Sequence, residues 1–268
     1  MSLAGVESRR IPLLSKNDFS AVLKSVHSPI VVHTAGLTDV AACERNPAPA
    51  YAINVELAVN VARACFEAGL PLVHISTDHL FAGDQALLDE NQPPSPLNAY
   101  ARTKAEAERR VLDVYPHALI IRTNFYGWGT SYRHSFSDFI LESLRTGKQP
   151  TLFKDVFYTP ILIEDLALAV HELVDMQAQG IFNVVGDDRI SKYEFGCMVA
   201  AEFGLDANRI SPGLLADHAS DVQRPLDMSL SNKKVCDLLG RKLGGVKEQI
   251  AKLHQQESNG LSQELKKL

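Results

Sequence analysis

A chain of 268 residues, 46% of them hydrophobic, can bury one large core with a smaller lobe attached, and its apolar stretches fall short of the ~20 residues a membrane helix requires. Lys and Arg number 27 against 32 Asp and Glu, and the formal net charge of −5 leaves no basic footprint for nucleic acid. Cys43, Cys65, Cys197 and Cys236 are scattered with no C-x-x-C, and no signal-peptide pattern opens the chain, so the expectation is a cytoplasmic protein with reduced thiols.

Ahead of Ile30 the pattern holds at most one short strand, Arg10 to Leu14, and one helix, about Lys16 to Val26. Ile30 to Gly36 is a β-branched apolar run ending in small residues, which reads as a buried parallel strand entering a close-approach loop. A helix is expected from about Pro49 to Ala68, with Ile53, Leu57, Val61 and Cys65 on one stripe and Gly69 as its stop. Pro71 to Asp78 reads as a second buried strand, this one ending in hydroxyls and a carboxylate. Open α/β sheets bind ligands at the carboxyl ends of their strands, so Thr77 is aimed at the same place as Ala35 and Gly36.

A proline-rich loop, Asp89 to Pro96, leads into a helix carrying Tyr100 and Lys104, and Ala118 to Thr123 is a third strand finishing in polar residues. Strand, helix, strand, helix, strand with hydrophobic strands predicts an α/β fold built on a doubly wound parallel sheet. Further helices are expected at Phe136 to Thr146, at Glu164 to Met176 with acidic residues in its first turn, and at Ser191, where Glu194 completes a capping box. Ile181 to Val185 reads as a strand, Ser231 to Leu239 as a short helix closed by Gly240, and Glu257 to Leu268 as a polar, frayed end.

Tyr100 and Lys104 stand four residues apart, which on a helix puts them on one face with Cβ atoms roughly 5–6 Å apart. A neighbouring cation favours the phenolate, so the spacing predicts a tyrosine pKa drawn down from ~10 toward the working range of a general acid or base. The same spacing also fits an ordinary surface pair. Nine histidines build no metal motif: His74 and His79 are five apart across a strand end rather than i,i+4 on a helix, and no metal is expected.

Three ordered stretches sharpen the reading. Ser76-Thr77-Asp78-His79-Leu80-Phe81-Ala82-Gly83, Asn98-Ala99-Tyr100-Ala101-Arg102-Thr103-Lys104 and Arg122-Thr123-Asn124-Phe125-Tyr126-Gly127 resemble the extended short-chain dehydrogenase/reductase superfamily. Within it they are most similar to the dTDP-4-dehydrorhamnose reductases. The likeness continues through Asp155 to Pro160 and Arg224 to Leu230, covering roughly residues 30 to 250.

This resemblance implies a Rossmann-like dinucleotide-binding domain over residues 1–125 and a smaller sugar-nucleotide lobe over 126–268, partly interleaved. It implies hydride transfer from NADPH or NADH to the 4-keto group of a nucleotide-linked deoxysugar. Tyr100 would protonate the alkoxide, Lys104 would lower the tyrosine pKa and hold the nicotinamide ribose, and Thr77 would hydrogen-bond the carbonyl oxygen. Ala35, Gly36, Asn54 and Ser76 would border the cofactor. Asn124, Tyr126 and Phe157 would line the substrate pocket, with Arg224 neutralising a phosphate. Arg122 is expected to brace its strand end instead of touching nicotinamide. The partner implied is a nucleotide-sugar substrate, with no nucleic acid and no membrane; homodimerisation is left open.

The chain departs from that family in one respect, since no G-x-x-G-x-x-G turn precedes Gly36, where the only glycine is Gly5. Comparison with the family implies that the first strand, the phosphate-binding loop, the first helix and the second strand are absent. The Ile30 to Thr34 strand is then expected at an apolar sheet edge. A displaced start is favoured over a true loss or completion by another chain. Two further function classes stay open: a non-catalytic relative like the regulatory β subunit of methionine adenosyltransferase, and an NAD-dependent sugar-nucleotide epimerase or dehydratase.

Overall fold

Four short strands, Val31–His33, Leu72–Ile75, Leu119–Arg122 and Gly180–Asn183, lie side by side in that order, each parallel to its neighbour. They belong to a computed structural model that describes residues 16–25, 29–218, 220 and 222–267. Alternate side chains leave opposite faces of a strand, and the apolar runs read from the sequence supply both faces. Val73, Leu119, Ile121 and Phe182 meet Leu166, Ala169 and Leu173 of the helix Ile163–Asp175. On the other face Leu72 and Ile120 pack against Val59, Ala62 and Cys65 of the helix Leu57–Ala68 and against Ala107 and Val111 of the helix Ala99–Val114. Helices on both faces make the sheet doubly wound, a Rossmann-like α/β fold. Each fully buried Ile or Leu in these layers contributes roughly 1.5–3 kcal/mol relative to exposure.

The expected helix from Pro49 to Ala68 is not continuous. It comprises the helix Pro47–Tyr51, a π-helical stretch Ala52–Glu56, and the helix Leu57–Ala68, ended by Gly69 at φ +65°. The wider turn shifts the side-chain register. Ile53, expected on the buried stripe, is therefore 38% exposed, while Asn54 turns fully inward.

Among the described residues Val31–His33 is one of the two edge strands of this sheet, and Val32 is 47% exposed there. Edge placement agrees with the expectation, although the strand pairs over three residues only. The expected strand at Arg10 to Leu14 lies outside the described residues. The helix at Lys16–Ser25 is present, and its Phe19 and Leu23 pack against the Leu57–Ala68 side of the sheet.

A separate apolar cluster unites the helices Phe136–Arg145, Lys192–Glu202 and Val246–Ser258 through Ile140, Leu144, Phe195, Val199, Ile250 and Leu253. Capping boxes begin the first two, at Ser135 with Asp138 and at Ser191 with Glu194. The C-terminal reading is corrected. The stretch from Glu257 onward completes the helix Val246–Ser258 and forms a further short helix, Leu261–Leu265. Long-range ties hold it: Trp128 Nε1 donates to Leu253 O at 3.1 Å, and Arg145 pairs with Glu257 at 2.7 Å.

Candidate active site

Where the Leu72–Ile75 strand ends, the chain stays buried through Ser76, Thr77 and Asp78, and Ser76 N donates to Ile121 O at 2.7 Å. Facing them is the first turn of the helix Ala99–Val114. Asn98 caps it by accepting from Ala101 N at 3.0 Å and is itself anchored through Nδ2 on Gln223 O at 3.0 Å. Glu44 accepts from Ala99 N at 2.6 Å. These ties hold Tyr100 and Lys104, 7% and 6% exposed, over the strand ends.

Thr77, Tyr100 and Lys104 line one cavity of about 690 Å3, together with Ser76, Gly36, Asn54, Asn124 and Tyr126. Ala35 lies beside Gly36, exposed, and is not among the lining residues. Asn54 fixes the loop around Gly36 by accepting from Leu37 N at 2.7 Å while its Nδ2 donates to Thr103 Oγ1 at 2.9 Å. A Cβ on Gly36 would stand 3.2 Å from Asn54 Oδ1, so the glycine permits this close approach. Asn124 Nδ2 donates to Asp78 Oδ2 at 2.6 Å. Tyr126 is buried with its ring edge-on to Phe195, and burial raises its phenol pKa.

The electrostatics of the central pair correct the sequence reading. Burial pushes the Tyr100 phenol up to about 12, with the Thr77 hydroxyl, as a hydrogen-bond partner, offsetting part of the rise. Lys104 is drawn down to about 8, again by burial, with Glu108 opposing. The spacing argument treated the pair as solvated, whereas packing strips water from both groups. The Lys104 ammonium is also engaged elsewhere: Nζ donates to Ile75 O at 2.7 Å and lies 3.4 Å from His74 Nε2.

Arg224 and Phe157 are placed away from this cavity. Arg224 borders a second one, of about 630 Å3, together with Lys192, Phe136 and Phe153. Phe157 lines neither; the Arg189 guanidinium sits 3.9 Å from its ring centroid and is itself paired with Asp227. Arg122 is buried in an ion pair with Glu108 at 2.8 Å, as a strand-end brace.

Two residues with no assigned role in the sequence reading border the second cavity. His79 lines both cavities and so marks where they meet. Lys192 lies 3.3 Å from the Tyr158 ring centroid, and burial lowers its pKa to about 8. His79 lay inside a motif already quoted, two positions beyond Thr77. Lys192 follows the Ser191 cap with no pattern to single it out.

Among the described residues five buried polar atoms around the two cavities have no protein partner: Ser76 Oγ, Thr123 Oγ1 and Thr130 Oγ1 in the first, Arg224 Nε in the second, and Nδ1 of His79, which lines both. Such orphans are rare in folded proteins and suit a polar ligand. Among the described residues no cluster of His, Cys, Asp and Glu is suited to a metal, and no helix is long and apolar enough to cross a membrane.

A parallel α/β sheet with a Tyr-x-x-x-Lys helix and a strand-end threonine at one cavity defines the class of extended short-chain dehydrogenase/reductase folds. The chain belongs to the family described as RmlD substrate binding domain, whose model matches residues 1–259. It is 32% identical over 228 residues to the probable low-salt glycan biosynthesis reductase Agl14 of Haloferax volcanii, covering 84% of this chain and 76% of that protein. Against dTDP-4-dehydrorhamnose reductase of Mycobacterium tuberculosis the identity is 30% over 218 residues, 78% and 70% of the two chains. Methionine adenosyltransferase 2 subunit beta of Danio rerio is 28% identical over 85% of this chain and 72% of its own. Among solved structures, dTDP-4-dehydrorhamnose reductase from Bacillus anthracis in complex with NADP superposes with a TM-score of 0.85 at 24% identity, over 92% of this chain and 87% of that one.

Proposed function

We propose that the protein is an NAD(P)H-dependent reductase that converts the 4-keto group of a nucleotide-linked deoxysugar to an alcohol. The observation that carries this reading is the convergence of Thr77, Tyr100 and Lys104 on one cavity at the carboxyl ends of parallel strands. Reduction of a ketone leaves an alkoxide that must be protonated as it forms. With its pKa held at about 12, the Tyr100 phenol is neutral at physiological pH yet a stronger acid than an alcohol, so it keeps its proton until the alkoxide develops. Thr77 supplies a second hydroxyl to the same oxygen. Donors placed in advance at such a site are worth ~3–4 kcal/mol each.

Ser76, Asn54, Gly36 and Ala35 are assigned to the dinucleotide side, with Lys104 toward the nicotinamide ribose. NADPH or NADH supplies the hydride when bound. The unpartnered Ser76 Oγ supports this assignment, since a ribose or carboxamide satisfies it. Asn124 and Tyr126 are assigned to the sugar. Arg224, with Lys192 and His79, is assigned to the diphosphate, because two cations and an unpartnered imidazole nitrogen around one cavity suit an anion.

A second reading, a non-catalytic nucleotide- or partner-binding relative, is favoured by the likeness to the Danio rerio subunit. One experiment separates the two. The protein is incubated with NADPH and a dTDP-4-keto-6-deoxyhexose while reduced nicotinamide is followed by absorbance and the sugar by NMR. Oxidation with formation of a C4 alcohol is the expected result. Binding of both compounds without turnover favours the second reading, and failure to bind the nucleotide sugar overturns the reductase assignment.

A further inference from the structure

Behind Lys104 lies a buried arrangement that the reaction described above does not use. His33 and His74 are direct neighbours across the parallel pairing of the two edge-side strands, at the register His33↔His74. Their rings stack with centroids 5.1 Å apart and planes 19° from parallel, and Nδ1 faces Nδ1 at 2.9 Å. The other nitrogen of His74, Nε2, lies 3.4 Å from Lys104 Nζ. His33 and His74 are 6% and 1% exposed.

We propose that His74 is a positioning residue for Lys104: with His33 as the acceptor behind it, it is held as the Nδ1–H tautomer, so that its Nε2 presents a lone pair to the Lys104 ammonium. This role for Lys104 as a working group rests on the reductase reading. A neutral imidazole has one N–H and one lone pair, and an ammonium has only donors. A contact between two Nδ1 atoms at 2.9 Å needs one to donate and one to accept.

Two arrangements meet that condition. If His74 Nδ1 donates to His33 Nδ1, then His74 Nε2 is an acceptor and takes a hydrogen bond from Lys104. If His33 Nδ1 donates, His74 Nε2 carries a hydrogen aimed at the ammonium, donor against donor in a site with little water. Among the described residues His33 Nε2 has no partner in either case, so Lys104 decides. Both imidazoles are held neutral by burial, His33 drawn down to about 4 and His74 well below its ordinary 6.5, each with Lys104 adding to the effect. Loss of His74 removes that acceptor and leaves Lys104 Nζ with Ile75 O, so the ammonium is less favoured and the Lys104 titration moves down.

The test needs no substrate. In protein carrying 15N-labelled histidine, nitrogen shifts and through-hydrogen-bond coupling should report His74 as the Nδ1–H form, coupled to His33 Nδ1. Lys104→Met removes the donor that decides and should let the Nε2–H form of His74 appear beside the Nδ1–H form. His74→Leu removes the lone pair and should shift the Lys104 titration, read from its labelled Nζ, down, whereas His74→Asn keeps an acceptor there and should move it less. An Nε2–H form of His74 in the unaltered protein overturns the proposal, as does a Lys104 titration that His74→Leu leaves unchanged. Circular dichroism of each variant separates these shifts from unfolding, and the tautomer of the unaltered protein keeps the test decisive if the leucine variant does not fold. Because the readouts come from the protein alone, failure of the reductase reading shows up separately, as absent turnover with the histidine signature intact.

Discussion

The Tyr100 phenol stands edge-on to the His79 imidazole, ring centroids 5.8 Å apart and planes at 78°. Since His79 borders both cavities, the assigned proton donor lies where they meet. A ketone at Tyr100 therefore has a route for its phosphate-bearing side toward Arg224 and Lys192. In this arrangement one cavity is assigned to hydride transfer and the other to an anionic handle.

Replacing Tyr100 by Phe removes the proton donor while keeping the ring that packs on His79. The expected outcome is a ~10²–10⁴-fold fall in kcat, the usual scale for general acid catalysis. NADPH affinity, read by fluorescence titration, should stay within about twofold, because the phenol hydroxyl acts on the forming alkoxide and not on the bound nucleotide. Turnover within a few-fold of the unaltered protein would remove Tyr100 from the mechanism.

Arg224→Ala and Lys192→Met act on the second cavity alone. A lost charge-assisted hydrogen bond is worth ~1.5–3 kcal/mol, so KM for the nucleotide sugar should rise ~10- to 100-fold with kcat changed much less. Steady-state kinetics at saturating NADPH read the split. A fall in kcat at constant KM would instead place these cations at the reacting centre.

Much of this arrangement was legible in the sequence because local chemistry dictated it. Strand ends rich in Ser, Thr and Asp marked the carboxyl edge of the sheet, and the Asn98 cap with Tyr100 and Lys104 four apart fixed which helix face looks at it. The solvation of that face was not legible, since it depends on Thr77, Ile75 and His74 arriving from another strand; hence the phenol is raised where spacing alone suggested a fall. The π-helical stretch Ala52–Glu56 escaped for a related reason: one wider turn leaves no compositional mark, yet it turns Asn54 in and Ile53 out. The cover over Phe157 was not legible either, because the Arg189 guanidinium that lies on its ring comes from far along the chain.

Acid should weaken the fold through the histidine pair. In the unfolded chain His33 takes a proton below its ordinary 6.5, whereas in the folded protein burial delays this to about 4. Between those values the unfolded state binds more protons, so this contribution is fully present above 6.5 and is lost as pH falls through about 4. The full loss is about 3 kcal/mol, and His74, shifted in the same direction, adds to it. Urea unfolding across that window should show stability falling with pH, and His33→Asn should flatten the slope. Equal slopes in both proteins would assign the acid sensitivity elsewhere.

Arg122 and Glu108 give the sharpest test of the scaffold beneath the site. The two side chains are 2% and 3% exposed and share three hydrogen bonds of 2.8, 3.1 and 3.2 Å, tying the Leu119–Arg122 strand to the helix that carries Lys104. Glu108→Ala leaves a guanidinium buried without its counter-charge, which typically costs about 3–5 kcal/mol. Replacing both at once, Arg122→Met with Glu108→Leu, removes the stranded charge and should recover most of that loss, because apolar packing often substitutes for a buried pair. Thermal and urea unfolding of the single and double variants measure this directly. Glu108 also favours the charged form of Lys104, so the double variant should regain stability while its Lys104 titration stays below that of the unaltered protein. Recovery of stability together with an unchanged Lys104 titration would show that the pair braces the strand without acting on the charge of the helix that carries Lys104.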